Sequence, residues 1–123
     1  LMDLTRLVRE LLEEVSASTG IRARPGWPSG QETYPLVTVL MVGASVERAD
    51  VEHTRFFYRL AFQIDVWHVS AEECDGVASR LVEGLARAAA RRNWFLFRVE
   101  SMRDIPEEEV YRKMIEISFM AVG

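Results

Sequence analysis

Apolar residues recur at spacings of three and four from Leu4 through Leu7, Val8, Leu11 and Leu12 to Val15. Arg6, Arg9, Glu10, Glu13 and Glu14 fill the positions between them. This is the stripe of an amphipathic helix with a solvated charged side. Asp3 is placed to cap its start and Gly20 to end it. The period then vanishes. In "IRARPGWPSGQETYP" three prolines and two glycines exclude one regular element. Its opening, Ile21 to Arg24, reads as a short edge strand, and Trp27 as a large side chain laid over the core.

"LVTVLMVG" (Leu36 to Gly43) carries apolar residues on both parities, which predicts a strand covered on both faces. The polar stretch "ASVERADVEHT" follows, longer than the usual hairpin loop of about 2–5 residues, and predicts an extended hairpin with a mobile tip. Then Phe56, Tyr58, Leu60, Phe62, Ile64 and Val66 occupy one parity. Phe57, Arg59, Ala61, Gln63, Asp65 and Trp67 occupy the other. Read from Arg55 to Val69 this is a strand of 15 residues, against a usual length of about 5–6. What so long a strand pairs with is the question the sequence poses.

Ser70 and Glu73 match a capping box, and Cys74, Val77, Ala78, Leu81, Val82 and Leu85 form the buried stripe of a helix running to about Arg92. Arg87, Arg91 and Arg92 lie where they meet the helix dipole favourably. Trp94 to Met102 and Val110 to Val122 predict two further strands around the turn "DIPEEE". The order α-(β)-β-β-α-β-β is that of a single α+β domain over residues 1–123: a mostly antiparallel sheet with two helices on one face and a long β-hairpin. The expected core is Leu7, Leu11, Val39, Leu60, Phe62, Ile64, Leu81, Leu85, Ile117 and Phe119.

Composition narrows the function. The chain has 123 residues, 49% of them hydrophobic, and a formal charge of −4, so it carries no basic footprint for nucleic acid. Lys113 is the only lysine among 15 basic residues. Cys74 is the only cysteine and reads as a small core residue. No apolar run approaches the ~20 residues of a membrane span, and the beginning lacks the pattern of a secretory signal; Met2 reads as the native start and the compartment as cytosol-like. His53 and His68 are too far apart along one strand to share a metal, and His68 with Cys74 and Glu72 or Glu73 lacks ligand spacing. No nucleophile elbow, phosphate loop or zinc-protease motif is present. Asp65 beside Trp67 reads as a polar residue of the sheet's outer face. The expectation is no catalytic centre, no cofactor and no metal.

"YPLVTVLMVG" after the Pro/Gly loop, and "YRLAFQIDVWHVSAEECDGVASRLVEGLARAA" running from strand into helix, together with the β ending, resemble the tail-terminator and tail-completion (head–tail joining) proteins of long-tailed bacteriophages. The resemblance covers nearly the whole chain and rests on length, element order and local phrasing. It implies a non-enzymatic virion protein, assembled in the host cytoplasm into a homohexameric ring at the head-proximal end of the tail tube. Its implied partners are the tail tube protein and the head–tail connector proteins. DNA would pass through the ring without specific binding, and no membrane is involved. A neighbouring possibility is a connector-side adaptor of the neck. From a different class, the rivals are a small α+β ligand-binding or regulatory domain and, third, an enzyme. For the subunit or tube interface the candidates are Arg55, Phe57, Arg59, Gln63, Asp65 and Trp67 on the long strand's polar parity, with Glu47, Arg48 and Glu52 of the preceding connection. Arg55 and Arg59 are expected to pair with Glu47 or Glu52 of the next subunit, and the long strand to lend it an edge.

Overall fold

The structure is a computed structural model that describes residues 3–30, 33–48 and 55–123. Helix α1 spans Leu4–Thr19; the Asp3 side chain accepts from the Arg6 amide at its start and Gly20, at φ 74°, ends it. Helix α2 spans Ala71–Arg92, with Ser70 accepting from the Glu73 amide and Asn93, at φ 59°, closing the last turn. The strands are β1 (Ala23–Pro25), β2 (Leu36–Arg48), β3 (Phe56–His68), β4 (Phe95–Ile105) and β5 (Tyr111–Val122). They form one five-stranded sheet in the order β1-β2-β3-β5-β4. Only the β1–β2 pairing is parallel. This is the α+β arrangement the pattern predicts.

All ten expected core residues are buried, between the helices and one face of the sheet. Leu60, Phe62, Ile64 and Val66 of β3 alternate inward beside Ile115, Ile117, Phe119 and Ala121 of β5. Phe119 stacks between Phe62 and Trp94, with ring centroids 5.7 and 4.7 Å away. The helices cross closely at Gly84, where an added Cβ would run into the Ser18 side chain. No larger residue fits at that crossing.

Several expectations shift. The long strand is Phe56–His68, 13 residues, and it does not outrun its neighbours. It pairs with β2 from Phe56 to Trp67 and with β5 from Phe57 to His68, so it is central and offers no edge to another subunit. Its length is answered inside the chain by β2 and β5, of 13 and 12 residues. Strand β2 does not end at Gly43 but continues to Arg48 past an irregularity at Val42, because its polar end still pairs with Phe56 to Leu60. The connection therefore shortens to residues 49–55; its expected mobile tip, with Glu52 and His53, lies outside the described residues. Burial on both faces holds only from Leu36 to Val39. The short edge strand lies two residues later than its expected start, and β4 and β5 cover Phe95–Ile105 and Tyr111–Val122.

Candidate interaction surfaces

The sheet face turned away from the helices carries the second parity of β3, and its two ends differ. Near the hairpin it is open: Phe57 and Ala61 of β3 and Met120 and Val122 of β5 are half-buried, and Arg59 is exposed. At the other end Asp65 and Trp67 are only 2% and 7% exposed. Asp65 lies on the outer face, as expected, but that end of the face is closed over and the side chain is buried. Its carboxylate accepts from Arg112 Nε at 2.9 Å and from Gln63 Nε2 at 2.9 Å. Arg112 also reaches Glu107 at 3.0 Å. The same guanidinium lies between two indoles, 4.8 Å from the Trp67 ring and 5.0 Å from that of Trp27. Trp27 is 55% exposed, so it covers this arginine rather than the core, correcting the reading from sequence. The long-range partner of Asp65, 47 residues away, leaves no local signal in the sequence.

Arg59 meets Glu47 within one chain, at 3.5 Å across the β2–β3 hairpin, with both side chains largely exposed. The expected pairing between subunits thus has a competitor in the subunit's own hairpin. Arg55 is exposed and precedes β3. Arg48 ends β2 and pairs through its backbone with Phe56; its side chain and Glu52 lie outside the described residues.

A second ionic cluster joins the helices. Glu14, which the helical pattern assigns to the solvated side, is 7% exposed. Arg91 donates to it at 2.7 and 3.2 Å, and Arg92 Nε donates to the same carboxylate. The two guanidinium groups, Arg91 foremost, hold its pKa down to about 2 against the opposing effect of burial. Arg91 and Arg92 thus do more than meet the α2 dipole. On the opposite edge Lys113 bridges Asp75 and Asp104, each at 2.9 Å, and hydrogen bonding to Asp75 and then Asp104 raises its pKa. Cys74 is 1% exposed, and burial pushes its thiol pKa up. His68 lies 3.8 Å from Glu73. Among the described residues no cluster of three or more His, Cys, Asp or Glu side chains is placed to hold a metal ion, and no helix is long and apolar enough to cross a membrane.

Several exposed apolar side chains lie on two opposite flanks, which the sequence reading did not single out; Val69 and Tyr111, also exposed, lie instead at the end of the sheet away from the hairpin. Along the β4 edge stand Phe95, Leu96 and Met102, 46%, 71% and 44% exposed. On the β1–β2 side an apolar groove of about 530 Å³ runs between α1 and the sheet, lined by Leu4, Val8, Leu12, Pro25 and Met41. Beyond it Val42 and Val46 are 53% and 59% exposed. Signals for both were present. Trp94 to Phe97 are four apolar residues in a row, which no alternating strand accommodates without an irregularity. The α1 stripe has two apolar rows where the core uses one: Leu7, Leu11 and Val15 are buried, while Leu4, Val8 and Leu12 remain partly open.

No protein-family model matches the chain, and no curated protein does. Among solved structures it is similar to a chain of the virion of a native gene transfer agent (GTA) particle, at 13% identity and a TM-score of 0.53, covering 94% of this chain and 92% of that one. At that identity what the two share, over nearly their whole lengths, is the fold.

Proposed function

We propose that this chain is a structural virion protein of the tail-terminator kind, a non-enzymatic subunit that closes into a ring at the head-proximal end of a tail tube. The observation that carries the reading is the fold held in common, end to end, with a chain of a gene transfer agent virion. The distribution of apolar surface supports the ring. Two unlike flanks suit a head-to-tail contact, which closes into a ring when the rotation permits and extends as a filament when it does not. A ligand-binding module would instead concentrate apolar lining in one concave pocket with convergent polar groups. A recess near Cys74 is rimmed by Asp104, Glu107, Glu109 and Arg112, of which Asp104, Glu107 and Arg112 already serve in ion pairs of the fold. The formal charge of −4 suits a conduit whose wall repels DNA phosphates rather than holding them. Tube protein on one face and connector on the other would be its partners.

The test is deletion of the gene in its virus or particle-producing host, with complementation by the intact chain, read by electron microscopy. Tails of uncontrolled length that regain uniform length on complementation are the expected result. Normal-length tails left unjoined to heads would assign the chain instead to the connector side of the neck. Particles indistinguishable from wild type would sink both assignments.

A further inference from the structure

We propose that Leu96 is the projecting residue of the subunit–subunit contact and that it seats in the α1–β2 groove of a second copy of this chain; the inference rests on the ring reading above. Leu96 is a leucine at φ 53°, in the left-handed region that side chains beyond glycine enter rarely. It sits in a bulge of β4, between the pairs Phe95↔Met120 and Arg98↔Ser118, where β4 spends one residue more than β5. The bulge leaves this large apolar side chain 71% exposed. Such an outlier points to function, and bulges at sheet edges commonly re-aim a side chain.

On the opposite flank the groove offers what Leu96 lacks. Leu4, Val8, Leu12 and Met41 supply an apolar recess, with Arg9 and Thr5 at its margin. Beside it runs a free strand edge. Strand β1 pairs with β2 only from Val37 to Val39, so among the described residues no strand covers the far edge of β2 from Leu40 to Arg48. Strand β4 is the other outer strand of the sheet, open along its 11 residues. The chain directions agree: β2 and β5 each run antiparallel to β3, and β4 runs antiparallel to β5. Laid beside the β2 of a second copy in the same orientation, β4 meets it antiparallel, continuing the sheet. An unsatisfied edge and an apolar projection on one flank thus meet an unsatisfied edge and an apolar recess on the other. The two flanks complement each other in both respects, which favours a second copy over a foreign partner. A contact of one knob and one short edge is small, so it favours assembly on an existing tube over assembly in dilute solution.

Two experiments test this. In the full chain, Leu96→Cys and Val8→Cys are introduced separately and together, and concentrated protein is oxidised with and without tail tubes; Cys74, 1% exposed, stays out of the reaction. The double variant should give a ladder of covalent multimers ending in a closed species, while neither single variant cross-links. No ladder under either condition, or a symmetric dimer from a single variant, would overturn the contact. Separately, Leu96→Gly relieves the left-handed conformation while deleting the knob. It should melt no lower than wild type, yet fail to cap tails in complementation. A Leu96→Gly chain that caps normally also overturns the proposal. If wild-type chain shows rings on tails while these variants behave otherwise than expected, only the contact is lost; if wild type shows no ring, the functional reading falls with it.

Discussion

Asp65 shows how far a residue's surroundings can depart from its local pattern. Alternation along β3 assigned its face correctly, since Asp65 does point away from the helices. What alternation could not convey is that Trp27 from one distant segment and Glu107 and Arg112 from another converge there and close that end of the face. Burial of a carboxylate is tolerated because the guanidinium neutralises it and the amide of Gln63 completes its hydrogen bonding. Replacing Arg112 with Leu leaves that charge buried and unpaired, and removing one partner of such a pair costs about 3–5 kcal/mol. Urea unfolding of Arg112→Leu should show that loss, and adding Asp65→Asn should recover much of it. Lysine at 112 should recover less, because it lacks the planar group that lies between the two indoles. A loss below about 1 kcal/mol would mean that water already reaches Asp65.

Among the elements, helix existence, caps and stripes were readable because they are local: Asp3, Gly20, Ser70 and Glu73 act within one turn of where they stand. The two-row stripe of α1 was readable too, and Leu7 and Leu11 were placed in the core, but how far Leu4, Val8 and Leu12 stay open was not, since that depends on how α2 crosses α1. The crossing is set by Gly84 against Ser18 and fastened by Glu14 with Arg91 and Arg92. Glu14 has a folded-state pKa of about 2 against an ordinary 4.5. A group whose pKa is lowered by folding contributes its full stabilisation above the unfolded value and loses it as pH falls towards the folded one. The fastening should therefore be complete above about pH 4.5 and weaken progressively towards pH 2. Its worth is about 2 kcal/mol, after discounting for solvent around Arg91. Thermal melts across that window should show a smaller decline for Glu14→Gln than for wild type. Equal declines would place the acid sensitivity in other carboxylates.

At the scale of the molecule, element order and the core were legible, whereas strand order was not. Alternation says that a strand has two faces, but nothing local says that β5 inserts between β3 and β4 and so makes the longest strand central. Among the described residues the free edges accordingly belong to β4, to the short β1 and to the part of β2 that β1 leaves uncovered, and with them the surfaces left for other chains. Cys74 has a bearing on this. Its sulfur lies 3.7 Å from the Val66 carbonyl oxygen and 3.4 Å from that of Tyr111, under α2 and against β3 and β5. With the thiol that deeply covered and its pKa raised by burial, a soluble disulfide reagent can reach it only when the helix layer lifts from the sheet. The chain therefore carries its own clock for breathing. Native subunits should label at least about 10³-fold more slowly than urea-unfolded ones, a ratio measurable by absorbance. Should labelling of the native subunit run at the unfolded rate, the helix layer is not seated as described. Because a partner that binds only the closed form slows its opening, the same thiol should tick more slowly whenever another molecule holds the two layers together, so one buried sulfur reports binding from inside the chain.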